Sequence, residues 1–241
     1  MSIKTRGIVF QYLQYGDTSL IVKIFSEEHG LQSFLVKGAL SKRSKFRVAF
    51  FQPMSIIEFV VSDRNNKGMK YMSEIYPGYV YQNIPFQIHK KTIVLYMSEL
   101  LSKTIAEGDR NKAFFSFIYE ILIWLDLTTA PCANFPLFFT IELTRFLGFY
   151  PKLNDSNNFF RFDMLQGSFV SGKESHAYFL PEEFCVFLRE FCTSRLEQIH
   201  QIQITNQQRR ELLNQMLLYY KIHIPSFGNL CSHDVLKEVF E

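Results

Sequence analysis

Two hydrophobic periods divide the chain. Up to about residue 80 apolar side chains alternate with polar ones in short runs, and beyond residue 85 they recur every three or four positions. A period of two marks strands with one buried face, and a period near 3.6 marks amphipathic helices. Residues 3–11 alternate loosely, with Ile3, Thr5, Gly7 and Val9 on one face, and predict a first strand. Residues 19–25 and 31–37 predict the next two, residues 54–61 (after Pro53) a fourth, and 69–76 a fifth. Turn chemistry separates them: Tyr15-Gly16-Asp17, then Glu27-Glu28-His29-Gly30, then the polar run 63–68, with Pro77-Gly78 closing the unit. Short strands with turns at intervals of about eight to twelve residues are the signature of a small barrel. Five in succession predict an OB-type five-stranded β-barrel.

The helical period predicts helices over 88–107, 113–127, 137–147, 181–198 and 206–223, and a short last one over 234–240 capped by Ser232. The third is apolar almost all round, so it belongs at the centre of a bundle. Its charges, Glu142 and Arg145, stand three apart and predict an ion pair along one face. Between the third and fourth helices lies a polar excursion, about 151–172, in which 159–163 and 167–170 predict a small hairpin. The expected fold is therefore α+β: a barrel over 1–80, then a helical domain over 81–241 that carries the hairpin.

Charge changes the picture at one place. Residues 37–47 hold five cations, Lys37, Lys42, Arg43, Lys45 and Arg47, and no carboxylate. Residues 1–80 carry 11 Lys and Arg against 6 Asp and Glu, whereas the remainder carries 15 against 17. A basic tract between two barrel strands suits a polyanion, since Lys and Arg neutralise phosphates and release condensed counterions. A solvated surface loop is the plainer reading of the same residues. OB barrels that hold single strands pair such cations with aromatic platforms, and Phe46, Phe50, Phe51 and Tyr71 are the candidates.

Other classes find little support. Of the six histidines, none stands in a nucleophile motif, and the chain has no Gly-rich phosphate loop, HExxH or GxSxG. An enzyme is not expected, and no cofactor. The cysteines, Cys132, Cys185, Cys192 and Cys231, form no CxxC pair, and Cys231 with His223 and His233 fits no standard zinc spacing, so no metal is expected. Residues 1–7 lack a signal-peptide pattern and no run reaches the ~18 apolar residues of a membrane span. The expected compartment is the cytoplasm, with association to the nucleoid if DNA is the ligand.

Taken in order, several segments resemble the RecO family of bacterial DNA repair proteins. They are residues 15–30 from Tyr15-Gly16-Asp17-Thr18, then Val36-Lys37-Gly38-Ala39, the basic tract and Gln52-Pro53. Further on come Leu95-Tyr96-Met97-Ser98-Glu99, Ile141-Glu142-Leu143, Phe146-Leu147-Gly148-Phe149-Tyr150-Pro151, Tyr219-Tyr220-Lys221-Ile222-His223 and Ser232-His233-Asp234. The resemblance spans nearly the whole chain. It implies a recombination mediator that binds single- and double-stranded DNA, anneals complementary strands, binds the C-terminal tail of single-stranded DNA-binding protein (SSB), and joins RecR in loading RecA. It matches Lys37, Lys42, Arg43, Lys45 and Arg47 to the family's basic region and implies phosphate contacts for them; Arg6, Arg64, Lys67 and Lys70 are weaker candidates on neighbouring edges, for each of which ordinary solvated charge is the plainer reading. For the SSB tail, Arg145, Lys91 and Lys103 are the nearest candidate cations, because Leu137, Phe138 and Phe139 replace basic residues expected before Glu142. Many relatives carry paired CxxC motifs between the central helix and the hairpin, binding zinc. Here the stretch 154–172 has no cysteine, so the hairpin must hold by packing alone. The barrel signal itself does not separate DNA from RNA, and an RNA-binding OB module with a helical protein-interaction domain remains the alternative.

Overall fold

The computed structural model describes residues 2–41, 48–62, 70–108, 110–153, 161–171 and 176–240. The chain forms two compact units, Met1–Thr128 and Thr129–Glu241.

In the first unit, strands β1 (Ser2–Tyr15), β2 (Ser19–Ser26), β3 (Gly30–Val36), β4 (Ile56–Ser62) and β5 (Lys70–Pro77) close into a barrel in the order β1-β2-β3-β5-β4. The pairs are antiparallel except β3 with β5, which run parallel. Val9, Val22, Ile24, Phe34, Phe51 and Phe59 are among the side chains that fill the interior. Gly7 is required there: a Cβ would stand 2.5 Å from Ile24 Cγ2 and 2.7 Å from Phe59 Cε1.

The first strand is longer than its alternation predicts, and its register slips between Val9 and Gln11. Such a bulge leaves one extra residue, here Phe10, unpaired in the ladder. Val9 joins the barrel interior, while Phe10 stacks on Phe25 with centroids 5.8 Å apart. Helices α1 (Ile88–Thr104) and α2 (Lys112–Leu127) cover that exterior, with Phe114 5.4 Å from Phe25 and the Ser98 hydroxyl donating to Phe10 O. Residue 80 thus marks a change of secondary structure, and the compact unit runs on to Thr128.

Several boundaries differ from expectation for identifiable reasons. The fourth strand begins at Ile56, not at Met54, because Met54 sits in the left-handed region at φ 63°. That conformation costs a non-glycine residue energy and is held by its surroundings. The Met54 N–H donates to Val9 O (2.6 Å), its carbonyl accepts from the Tyr81 hydroxyl (2.6 Å), and its side chain is fully buried. The first helix stops at Thr104 rather than 107, with Ile105 already extended.

In the second unit, α3 (Phe135–Leu147), α4 (Glu182–Thr193), α5 (Asn206–His223) and α6 (Ser232–Val239) accompany a small sheet. Helix α3 is buried along most of its length, as its apolar circumference predicts, and ends on Gly148 at φ 87°. Helix α4 ends at Thr193, short of the expected 198: the Thr193 hydroxyl bonds back to Arg189 O, and a 3-10 turn, Leu196–Gln201, follows to bury Ile199. Ser232 lies inside α6, and Cys231 takes the cap position without a side-chain capping bond. The predicted hairpin is a three-stranded sheet, since β8 (Phe179–Leu180) pairs on the free side of β6 (Arg161–Asp163), opposite β7 (Ser168–Val170). Phe162 packs on Phe169 and Tyr219, at 5.2 and 5.4 Å. Packing has help: the Asp163 carboxylate accepts the N–H of Leu165 and Gln166 at 2.8 and 3.0 Å and faces His176 Nε2 at 3.3 Å.

Candidate nucleic-acid interface

Strand β3 delivers the chain into the basic tract. Past Val36, Lys37 is exposed and Gly38 turns the backbone at φ 69°. Ala39 is buried, and the Leu40 N–H donates to Thr18 O at 2.9 Å, so the tract departs beside the β1–β2 turn. Lys42, Arg43, Lys45, Phe46 and Arg47 lie outside the described residues, as do Arg64 and Lys67 between β4 and β5. The residues flanking them are described. Lys70 opens β5 opposite Phe34, Tyr71 stands opposite Leu35, and Lys37 Nζ lies 4.8 Å from the Tyr71 ring centroid.

The register extends this pairing into a row. Leu13 is opposite Ile21, Ile21 opposite Leu35, and Leu35 opposite Tyr71. All four face outward, because the alternate positions Leu20, Val22, Phe34 and Met72 belong to the interior. Leu13 is 63% exposed and Tyr71 45%, and Tyr15, at the end of β1, is also exposed. A second row runs Gln11, Lys23, Ser33 across the same strands. The two rows, with Lys37, present two ammonium groups and no carboxylate; Glu107 meets the face only at its margin, accepting from the Ser33 hydroxyl at 2.8 Å. An apolar surface with an aromatic ring, flanked by cations, suits unstacked bases and their phosphates together.

The other predicted residues divide. Arg6 is committed locally: Nε and Nη2 each donate to Glu27 at 3.0 Å, and its guanidinium lies 5.0 Å from the Tyr119 centroid. Phe51 is wholly buried in the barrel interior and presents no platform, and Phe50 packs half-buried against the same core. Tyr71, with Lys37 over its ring, is the one exposed side chain among the described aromatic candidates. In the second unit Arg145 forms the predicted pair with Glu142, at 3.1 and 3.0 Å, and covers Tyr150 at 3.7 Å. Lys103 lies 3.6 Å from Glu99, whereas Lys91 is exposed on α1 and borders an apolar groove. Lys91 and Lys103 stand twelve residues apart on α1, and Arg145 lies on α3 of the second unit.

The outward row was not legible as a site. Strand β2 is apolar on both faces, so alternation alone does not say that Ile21 points out. The closest sequence signal was Leu13 and Tyr15 flanking Gln14 just before a turn, where burial is unusual. Among the described residues no three His, Cys, Asp or Glu side chains gather as a metal would need, and no described helix is long and apolar enough to cross a membrane.

Comparison with known proteins adds a second line. The family model described as "Recombination protein O N terminal" matches residues 1–77, and that described as "Recombination protein O C terminal" matches residues 85–229. Among similar curated proteins, the DNA repair protein RecO of Phocaeicola vulgatus is 35% identical over 98% of both chains. That of Bacteroides fragilis is 34% identical over 99% of each, and that of Flavobacterium psychrophilum 34% identical over the full length of both.

Proposed function

The chain belongs to the RecO family of DNA repair proteins, and from that premise we propose that it is a recombination mediator that binds single- and double-stranded DNA and anneals complementary strands. Its partners are then the SSB tail and RecR, and its outcome is RecA loading on SSB-coated strands. The observation that supports DNA contact is the barrel face on which Lys23, Lys37 and Tyr71 stand beside an apolar row, with the basic tract leaving its edge.

Annealing needs no catalytic group. It needs a cationic surface that screens two polyanions while leaving the bases free to pair. Lys37, Lys42, Arg43, Lys45 and Arg47 supply phosphate contacts, with Arg64, Lys67 and Lys70 on the neighbouring edge. Arg6, already matched by Glu27, is the weakest of the set. Arg145, Lys91 and Lys103 remain the cations proposed for the SSB tail, with Arg145 and Lys103 having to leave their present carboxylates to reach it.

The test is binding of a labelled single strand across a salt series by wild type and by the Lys42→Glu, Arg43→Glu, Lys45→Glu variant. Each lost phosphate contact removes roughly 0.7 of the log–log salt slope for a single strand, so the triple reversal should flatten it by about 2. An unchanged slope would show that the tract does not touch phosphate. Displacement of the DNA by RNA of equal length at far lower concentration would favour the RNA-binding alternative.

A further inference from the structure

Of the four most exposed large apolar side chains among the described residues, three stand together: Phe86 at 82%, Val80 at 71% and Ile88 at 67%. They lie within the first unit beside an apolar groove of about 460 Å³. Its walls are the 3-10 turn Val48–Phe51, the start of β4, the connector that follows β5, and helix α1. Val80 and Leu95 line it, Phe86 follows the lining residue Pro85, and Ile88, Lys91 and Leu95 share one face of α1 at i, i+3 and i+7.

A loose connector exposes such side chains by default, but this one is pinned. Asp126, fully buried, accepts the N–H groups of Gln82, Asn83 and Ile84 at 2.8, 2.8 and 2.9 Å and the Tyr79 hydroxyl at 3.1 Å. The Tyr81 hydroxyl holds Met54 O, and the buried Lys90 ammonium donates to the carbonyls of Asp126 and Thr128 at 3.0 and 2.7 Å. A buried carboxylate and a buried ammonium are costly anchors, and hydrophobic replacements often stabilise as well. Here they fix a connector whose apolar side chains face water. Preorganised apolar surface of this kind is the raw material of a protein interface.

Charge identifies the occupant. Among the described residues Lys91 is the one charged side chain in the lining, it is exposed, and no described carboxylate lines the groove. A nucleic acid needs many cations, so one lysine among aliphatic and proline side chains does not suit it. A second copy docked face to face would set Lys91 against Lys91. We propose that the groove and the Ile88–Lys91–Leu95 strip of α1 dock an amphipathic helix of a protein partner, which packs its apolar stripe into the groove and offers a carboxylate to Lys91. A helix fits because the strip is a ridge at helical spacing, the geometry by which helices interlock.

The test uses the full chain and a displayed library of random amphipathic helical peptides, selected on wild type and counter-selected on a Val80→Ser, Lys91→Glu variant. Both positions are exposed, and equal thermal midpoints establish that the variant is folded. Enriched peptides should share an apolar i, i+3, i+4 stripe and a glutamate or aspartate, and should bind the variant about tenfold or more weakly. Changing that acid to lysine should weaken binding to wild type and restore it on a Lys91→Glu protein. The inference is overturned by no enrichment over the variant, by enriched peptides without the acid, or by an unrestored charge swap. It is equally overturned if sedimentation shows a dimer that Val80→Ser abolishes, or if single-stranded DNA displaces the peptides.

Discussion

Asp126→Asn tests how the first unit fixes the connector beside the groove. Burial alone pushes the Asp126 carboxyl up, but three backbone N–H donors and the Tyr79 hydroxyl outweigh it and hold the group below the usual carboxylate range. Asparagine keeps one acceptor oxygen. Oδ1 can still serve Asn83 and Ile84, whereas an amide in place of Oδ2 sets its own protons against the Gln82 N–H. The Gln82 N–H loses its acceptor, the Tyr79 hydroxyl can no longer donate at that position, and the bonds that remain lose their charge assistance, so the expected loss is about 2–4 kcal/mol. Urea unfolding of the full chain reads it, and hydrogen exchange should show faster exchange at the amides of residues 82–84. The pH dependence follows in sign. A depressed folded value gives stability that is full above the unfolded value of about 3.9 and is lost as pH falls through the folded one. Wild type should therefore lose this increment on acidification, and Asp126→Asn should not. A variant within about 0.5 kcal/mol of wild type, with the three amides still protected, would refute the reasoning.

Other outcomes follow from single contacts. Tyr71→Ala should weaken single-strand binding by about 1–3 kcal/mol, the usual contribution of one stacked base, and change duplex binding less, as fluorescence anisotropy would show. Gly7→Ala should destabilise by about 1–3 kcal/mol, because a Cβ 2.5 Å from Ile24 Cγ2 overpacks the barrel; the urea midpoint reads it. Arg6→Gln breaks a partly exposed pair with Glu27 and should cost about 1 kcal/mol or less, with no change in the salt slope of DNA binding. A slope that falls by a full phosphate contact would return Arg6 to the interface.

Much of the fold was legible because it is local. Alternation set five strands, helical spacing set the helices, and the glycines of turns and caps stand where φ is positive, as at Gly30, Gly38 and Gly148. Glu142 and Arg145 could be paired from spacing because a helix fixes the distance between residues three apart. What escaped depends on residues distant in sequence. The bulge at Phe10 answers to helices that come some eighty residues later, and Met54 leaves strand geometry because Val9 and Tyr81 hold it. Arg6 looked like a free cation until the turn after β2 set Glu27 beside it. The site was half legible: the basic tract announces itself by composition, but the outward row requires the register of four strands. Phe51, one of four platform candidates, belongs to the core, a distinction that aromatic content alone does not make.

The most direct measurement is annealing of complementary oligonucleotides coated with SSB, with and without the protein, over a salt series. Acceleration that declines as salt rises, and that falls sharply in the Lys42→Glu, Arg43→Glu, Lys45→Glu variant, is the predicted result. No acceleration at any salt, or acceleration that the triple reversal leaves intact, would contradict a mediator that works through the basic edge of the barrel.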